Sequence, residues 1–430
     1  MNYQLVLKNT NLGDGTTVDI AIEQETIVAI DTGLSGEVEI ECRGLIALPG
    51  FVDLHTHLRE PGFEASETVL TGSRAAAKGG YTAIHPMANT NPVADTAGVV
   101  EQVKALGDAA GYVDVFPIGA VTVDLGGVQL AELGAMADSK AKVRVFSDDG
   151  KCVSDPLMMR RALEYVKKFD GVIAQHAQDP RLTEGAQMNE GQVSAQLGLT
   201  GWPGVAEESI IARDVMLAET LDSRIHICHL STARSVEIVR WAKQRGIRVT
   251  AEVTPHHLLL TDELARTYDP VYKVNPPLRT EADVLALREA LIDGTIDIIA
   301  TDHAPHPAEA KECEWDAAAF GMVGLETAVS VAQLVLIDSG RSNWQRLAEV
   351  MSLNPAKIAA DLGQGEAIKV GSTANLALVD PAVQREIVAV TESKSRNNPF
   401  AGMTLPGRVV HTIYRGRPTV LDGSIVEVAR

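Results

Sequence analysis

From residue 45 to about residue 304, short runs of apolar and often β-branched residues alternate with longer segments whose apolar positions recur at helical spacing. Eight of these runs read as strands: 45–54, 82–87, 113–121, 143–147, 172–176, 225–230, 248–254 and 296–301. Between them, 73–78, closed by Gly79-Gly80, and 281–292, closed by Asp293-Gly294, read as helices ending in a C-cap or turn. Eight strand–helix units over roughly 250 residues predict an α/β fold of the TIM-type (β/α)8 kind, with its chemistry at the C-terminal ends of the strands. An open doubly wound sheet is the alternative, but it would gather ligand residues at one switch point instead of around a ring.

The flanks read differently. The stretch up to about residue 46 has short strands with turns at Gly13-Asp14-Gly15 and Gly33-Leu34, and no long helical pattern. Beyond the last barrel strand, helical text at 344–351 and 355–362 leads to strand-like runs at 375–379, 387–391 and 409–414. Head and tail are expected to pair: residues 1–50 plus 365–430 as a composite small β-sandwich domain, and 51–364 as the barrel.

Composition narrows the function. A formal net charge of −19 without a basic stripe argues against a nucleic-acid partner. It also means that an anionic substrate must be held by a few local cations. The four cysteines (Cys42, Cys152, Cys228, Cys313) form no C-x-x-C pair, which fits a reducing cytosol. No apolar run approaches a membrane span, and no signal segment is visible, so a cytoplasmic protein without a membrane partner is expected.

Four places carry histidine or aspartate where an apolar run ends: Asp53-Leu54-His55-Thr56-His57-Leu58-Arg59, Phe146-Ser147-Asp148-Asp149-Gly150, the pair His176 and His229, and Ala300-Thr301-Asp302-His303-Ala304-Pro305-His306. His55 and His57 share one face of a strand because side chains alternate with period two. Either Asp148 or Asp149 could bridge two ions; being adjacent, they point to opposite faces, and pattern does not choose between them. Imidazole and carboxylate are ligands for zinc-like divalent ions. Asp302 is placed to move a proton beside such a site. Arg59 offers a planar fork for a carboxylate, and Asn89 follows the second strand. Single histidines and Asp-Asp-Gly turns usually have bland roles, and His85, His226, His256, His257, His303, His411 and Cys228 are left as structural.

Together these motifs resemble the dihydroorotase family of the amidohydrolase superfamily, in its longer bacterial form, over essentially the whole chain. The resemblance also rests on Asn89-Thr90-Asn91-Pro92, Ala251-Glu252-Val253-Thr254-Pro255-His256-His257, Asn275-Pro276-Pro277-Leu278-Arg279 and Lys311, five residues beyond His306. It implies metal ligation by His55, His57, Asp149, His176, His229 and Asp302, with zinc, two ions per subunit, as cofactor. Asp149 takes the bridging position, where hydantoinases of the superfamily carry a carboxylated lysine. It implies substrate contacts at His57, Arg59, Asn89, Asn275, His306, Phe320 and Gly321. The implied reaction is reversible cyclisation of N-carbamoyl-L-aspartate to L-dihydroorotate in pyrimidine biosynthesis, by metal-bound hydroxide with Asp302 as general acid and base. A homodimer and association with aspartate transcarbamoylase are further implications. Ala88 stands where the family usually has proline, and Thr56 where an apolar residue is commoner. The stretch 307–319 is expected to form a loop over the site. Another cyclic-amide hydrolase, or a non-catalytic scaffold, is the competing reading.

Overall fold

The computed structural model describes residues 2–361 and 363–427. Eight parallel strands form the barrel: Phe51–Thr56, Tyr81–Pro86, Asp114–Val115, Val145–Phe146, Val172–Gln175, Ile225–Ile227, Val249–Val253 and Ile298–Ile299. A parallel bridge between Gly119 and Phe146 joins the third strand to the fourth, and one between Thr56 and His303 joins the last to the first. The ring therefore closes. Asp53 reinforces that seam: its Oδ1 accepts from the Thr301 and His55 amides and its Oδ2 from the Thr301 hydroxyl. Burial pushes the Asp53 carboxyl up to about 6.

Alternation along the strands sorts the apolar residues into two layers. Ile173, Ile227 and Ile299 belong to the large core beneath the outer helices, while Val172, Ala174, Cys228, Ile298 and Ala300 join Leu54 and Ile118 in a smaller apolar cluster inside the ring. Ile358 and Ala359, from the helix Asn354–Ala359, pack into that inner cluster.

Most barrel strands are shorter than the apolar runs that encode them. Of 113–121, only Asp114–Val115 is regular strand. Pro117 has no N–H for the ladder, so pairing continues as single hydrogen bonds from Phe116 to Ile84 and from Ile118 to Pro86. The helices are close to expectation. Thr68 caps Val69–Lys78, and Thr280 caps Glu281–Asp293, which stops at Gly294 with φ +86°. The run at 344–351 divides into Trp344–Ala348 and a π-turn, Glu349–Leu353. Of the run at 355–362, Asn354–Ala359 is helical and Leu362 lies outside the described residues.

The two ends of the chain meet in one nine-stranded sheet. Ile46–Pro49 is its junction: it pairs parallel with Asn2–Asn11 through Ile46 and antiparallel with Leu376–Glu386 through four residue pairs. The apolar run 45–54 is thus two strands in two sheets, divided at Gly50. A Cβ there would stand 2.3 Å from the Thr82 hydroxyl, so only glycine allows the chain to cross so close to the barrel. Period two again assigns faces. Leu376 and Leu378 join Leu5, Leu7, Ile20 and Ile22 in the sheet's own core, whereas Ala377 and Val379 join the barrel's. The run 387–391 is not a strand. Ile387 exchanges hydrogen bonds with Gly402 and Met403, and beyond it Val388 and Val390 are exposed with no ladder partner.

Candidate metal centre and substrate side

The barrel's C-terminal rim gathers the predicted residues into one buried cluster. Asp149, just past the fourth strand, lies at its middle. Its Oδ1 is 3.4 Å from His55 Nε2, 3.2 Å from His176 Nδ1 and 3.5 Å from His229 Nε2, and its Oδ2 is 3.3 Å from His57 Nε2. Asp302, past the eighth strand, places Oδ1 3.1 Å from His57 Nε2 and 3.4 Å from His55 Nε2. Asp148 faces away. Its Oδ1 accepts the amides of Val121 and Thr122 at 2.8 and 3.0 Å, and its Oδ2 accepts the Thr122 hydroxyl. Of the two aspartates only Asp149 reaches the histidines.

The outer nitrogens of three imidazoles determine what the inner ones can do. His55 Nδ1 donates to Glu252 Oε1 at 2.6 Å, His57 Nδ1 to Asn89 Oδ1 at 3.0 Å and His176 Nε2 to Gln178 Oε1 at 2.7 Å. In the neutral rings this turns three lone pairs toward Asp149. Among the described residues His55 Nε2 is buried without a hydrogen-bond partner, and His176 Nδ1 lies 2.8 Å from His229 Nε2, a contact that two lone pairs alone would make repulsive. Divalent cations bound here would satisfy these atoms. Two three-residue groups, His55–His57–Asp149 and Asp149–His176–His229, each keep their ligand atoms within 4.8 Å of one another and share Asp149. The nitrogen and oxygen donors suit zinc-like ions.

The electrostatics show how strongly the buried carboxylates call for positive charge at this point. Burial alone would favour neutral groups, but the carboxylates of Asp149, Glu252 and Asp302 hold the His55 pKa well above its ordinary value. Against the same burial, His55, His176 and His229 draw Asp149 well below the usual carboxylate range, and His55 and His57 draw Asp302 to about 2. The site is built to keep its carboxylates ionised. It also contains backbone that most residues avoid: Arg59, His229 and Asp302 have φ of +61°, +30° and +47°. Such conformations cost about 1–3 kcal/mol each and persist where the surrounding fold imposes them.

Beside the cluster lie the expected substrate contacts. Arg59 donates through Nε to the Pro305 carbonyl at 3.2 Å; among the described residues, its terminal nitrogens have no protein hydrogen-bond partner. Burial lowers its pKa to about 10, and Asp302, Asp149 and Glu67 oppose that drop. Asn89 is fixed by His57 and by a long contact of 3.4 Å to the Asp149 carbonyl. Asn275 donates to Gln178 at 3.1 Å, and its Oδ1 is buried without a partner among the described residues. His306 donates from Nε2 to the Phe320 carbonyl at 2.8 Å. Burial and the charges of Arg59 and Lys311 lower the His306 pKa to about 3. At Gly321, φ is +147°, and a Cβ would stand 2.8 Å from His306 Nε2.

Glu252 and Gln178 were not singled out in the sequence. Glu252 does carry a signal: it is an acidic residue inside the otherwise apolar strand Val249–Val253. Besides His55 it accepts from the His229 amide and pairs with His226 at 3.0 Å, so His226 supports the centre through Glu252. Cys228 also neighbours His55 and Glu252, but burial pushes its thiol far up, which leaves it protonated and apolar in character. Gln178 lies in a loop with no pattern to mark it.

The dihydro-orotase-like family model matches residues 44–235. Over 98% of this chain and 97% of its own length, the dihydroorotase of Leifsonia xyli is 64% identical; that of Streptomyces coelicolor is 65% identical over 98% and 99%. The chain belongs to the dihydroorotase family. The Mycobacterium tuberculosis dihydroorotase, 52% identical over 96% of this chain and 97% of its own, extends that agreement. Among solved structures, the L-hydantoinase (dihydropyrimidinase) of Arthrobacter aurescens superposes with a TM-score of 0.88 at 26% identity, covering 99% of this chain and 98% of its own. This dihydroorotase-family chain therefore shares the amidohydrolase barrel and flanking β layer of hydantoinases.

Proposed function

We propose that the chain is a zinc-dependent dihydroorotase, interconverting N-carbamoyl-L-aspartate and L-dihydroorotate in pyrimidine biosynthesis. The observation that carries the reading is one carboxylate, Asp149, facing four imidazole nitrogens at 3.2–3.5 Å in a chain of this family. His55, His57, Asp149, His176, His229 and Asp302 would hold two zinc ions. Bound there, zinc lowers the pKa of water toward neutrality and polarises an amide carbonyl.

The protein's own groups do the rest. In the hydrolytic direction, water adds to the ring carbonyl and the ring C–N bond breaks. Asp302, held ionised by His55 and His57, accepts the water's proton and returns it to the departing nitrogen. In the synthetic direction the ureido nitrogen attacks the side-chain carboxyl carbon, and Asp302 takes the ureido proton and passes it to the departing oxygen as the C–O bond breaks and water leaves. Arg59 binds the α-carboxylate through its terminal nitrogens, with the Asn89 amide beside it. His306 lines the same side. Its ring is neutral and its N–H is engaged by Phe320, which leaves Nδ1 as an acceptor for a substrate N–H. The unpartnered Asn275 Oδ1 is a second acceptor.

We place the enzyme in the cytoplasm; among the described residues no helix is long and apolar enough to cross a membrane. A homodimer and an association with aspartate transcarbamoylase belong to the same proposal, and light scattering with and without that partner tests both. The substrate assignment is tested by the turnover of purified protein on L-dihydroorotate, hydantoin and allantoin. The expected preference is for dihydroorotate. Faster hydrolysis of either other ring would replace the assignment, and a fully metallated protein inactive on all three would favour the scaffold reading.

A further inference from the structure

Two residues outside the metal cluster converge on one carbonyl. Gly321 O accepts from Lys311 Nζ at 3.0 Å and from Asn397 Nδ2 at 3.1 Å. Lys311 also donates to the carbonyls of Lys273 at 3.1 Å and Ala319 at 2.8 Å, so its three N–H groups meet three oxygens. It is only 7% exposed, and among the described residues it forms no ion pair with a carboxylate. Burial and the neighbouring Lys273 charge lower its pKa to about 7. Placing an ammonium group here carries a desolvation penalty that an apolar side chain would avoid. The geometry therefore calls for an explanation beyond filling space.

Asn397 comes from outside the barrel, beyond Leu376–Glu386, and is 5% exposed. Its Nδ2 donates to Ala304 O at 2.9 Å as well as to Gly321 O, and its Oδ1 accepts the His306 amide at 3.3 Å. Its own carbonyl accepts the Val323 amide. Gly321 N donates to Lys273 O, which ties it to the strand of chain leading into Asn275. The two side chains thus connect three separate segments, and each segment carries a proposed substrate contact: Asn275, His306 and Phe320-Gly321. Lys273 steadies the same wall. Its Nζ donates to Trp315 O at 2.6 Å and Asp316 O at 3.1 Å, and lies 4.5 Å from the centre of the Phe320 ring. Within the stretch 307–319, Lys311 at the end of the helix Ala308–Lys311, Trp315 and Ala318 are buried, while most of the other residues are exposed.

We infer that Lys311 and Asn397 are positioning residues that hold the Asn275, His306 and Phe320-Gly321 segments in register as one preformed substrate wall. This rests on the proposed substrate side, but not on the metal chemistry, because neither side chain touches the cluster. The test uses Lys311→Met and Asn397→Ala in the full chain, with steady-state kinetics on L-dihydroorotate, metal content and amide hydrogen exchange. Each variant is expected to raise KM about tenfold or more, to change kcat less than about threefold and to keep its metal, as loss of uniform binding does. The double variant should show less than the product of the two effects, because both act on the Gly321 carbonyl. Amides at 319–323 should exchange faster while those at 53–57 do not. Unchanged exchange at 319–323, or loss of kcat and metal at constant KM, would overturn the inference. Asn397→Ala removes no buried charge and carries the test alone if Lys311→Met does not fold. If wild type ignores dihydroorotate, the substrate reading fails, and the exchange result still decides whether these residues position the wall.

Discussion

The two halves of the site are assembled in opposite ways. On the metal side, side chains from strand ends point at one another, and their outer nitrogens are held by Glu252, Asn89 and Gln178. On the substrate side, Arg59 and His306 lie on loops and donate to backbone carbonyls, those of Pro305 and Phe320. The first half concentrates charge and leaves lone pairs for a cation to satisfy. The second leaves single groups open, such as the Arg59 terminal nitrogens and Asn275 Oδ1. A strand end fixes a direction with little freedom, which suits ligands that must meet within a few ångströms. Loops allow the recognition surface to vary without disturbing the chemistry.

If the division of labour is real, changes on the two sides leave different kinetic signatures. The largest effect belongs to Asp302→Asn, which should lower kcat about a thousandfold while much of the metal stays bound. Turnover near wild type would remove Asp302 from proton transfer. Next comes Glu252→Gln, expected to weaken metal affinity about 10–100-fold by loosening His55. Metal titration of the apo-protein measures it, and an unchanged affinity would make Glu252 a packing residue only. Arg59→Met should raise KM about tenfold or more with metal content intact, since one charge-assisted contact is lost. A constant KM would blur the boundary between the halves.

The smallest effect concerns His306. Its folded pKa lies at about 3, below the ordinary 6.5, so between those values the unfolded chain binds more protons. Stability therefore rises with pH through that window and falls as the pH drops from 6.5 toward 3. His306→Gln should flatten this acid limb in urea titrations at pH 6.5 and 4.5. An equally steep limb would mean that His306 is not held neutral.

The same contrast explains what the sequence shows. His55, His57, His176, His229 and Asp302 each end an apolar run, so the ring of ligand candidates and the barrel are legible together. Asp148 and Asp149 are not separable that way, because adjacent residues at a strand end differ only in which neighbours they meet; the Val121 and Thr122 amides take Asp148. Strand length is also hidden. Pro117 and Gly50 break runs that look continuous, and pairing partners decide where regular strand stops. Asn397 and Lys311 leave no periodic trace, since their roles depend on carbonyls brought together by three distant segments.

On the proposed function, this chain's activity depends on metal held around Asp149. Its most direct test removes metal with a chelator, restores zinc stepwise, and follows dihydroorotate hydrolysis and bound metal in the same sample. Activity is expected to disappear with the metal and to return as zinc rebinds, levelling off at two ions per chain. Full activity in the metal-free protein would contradict it.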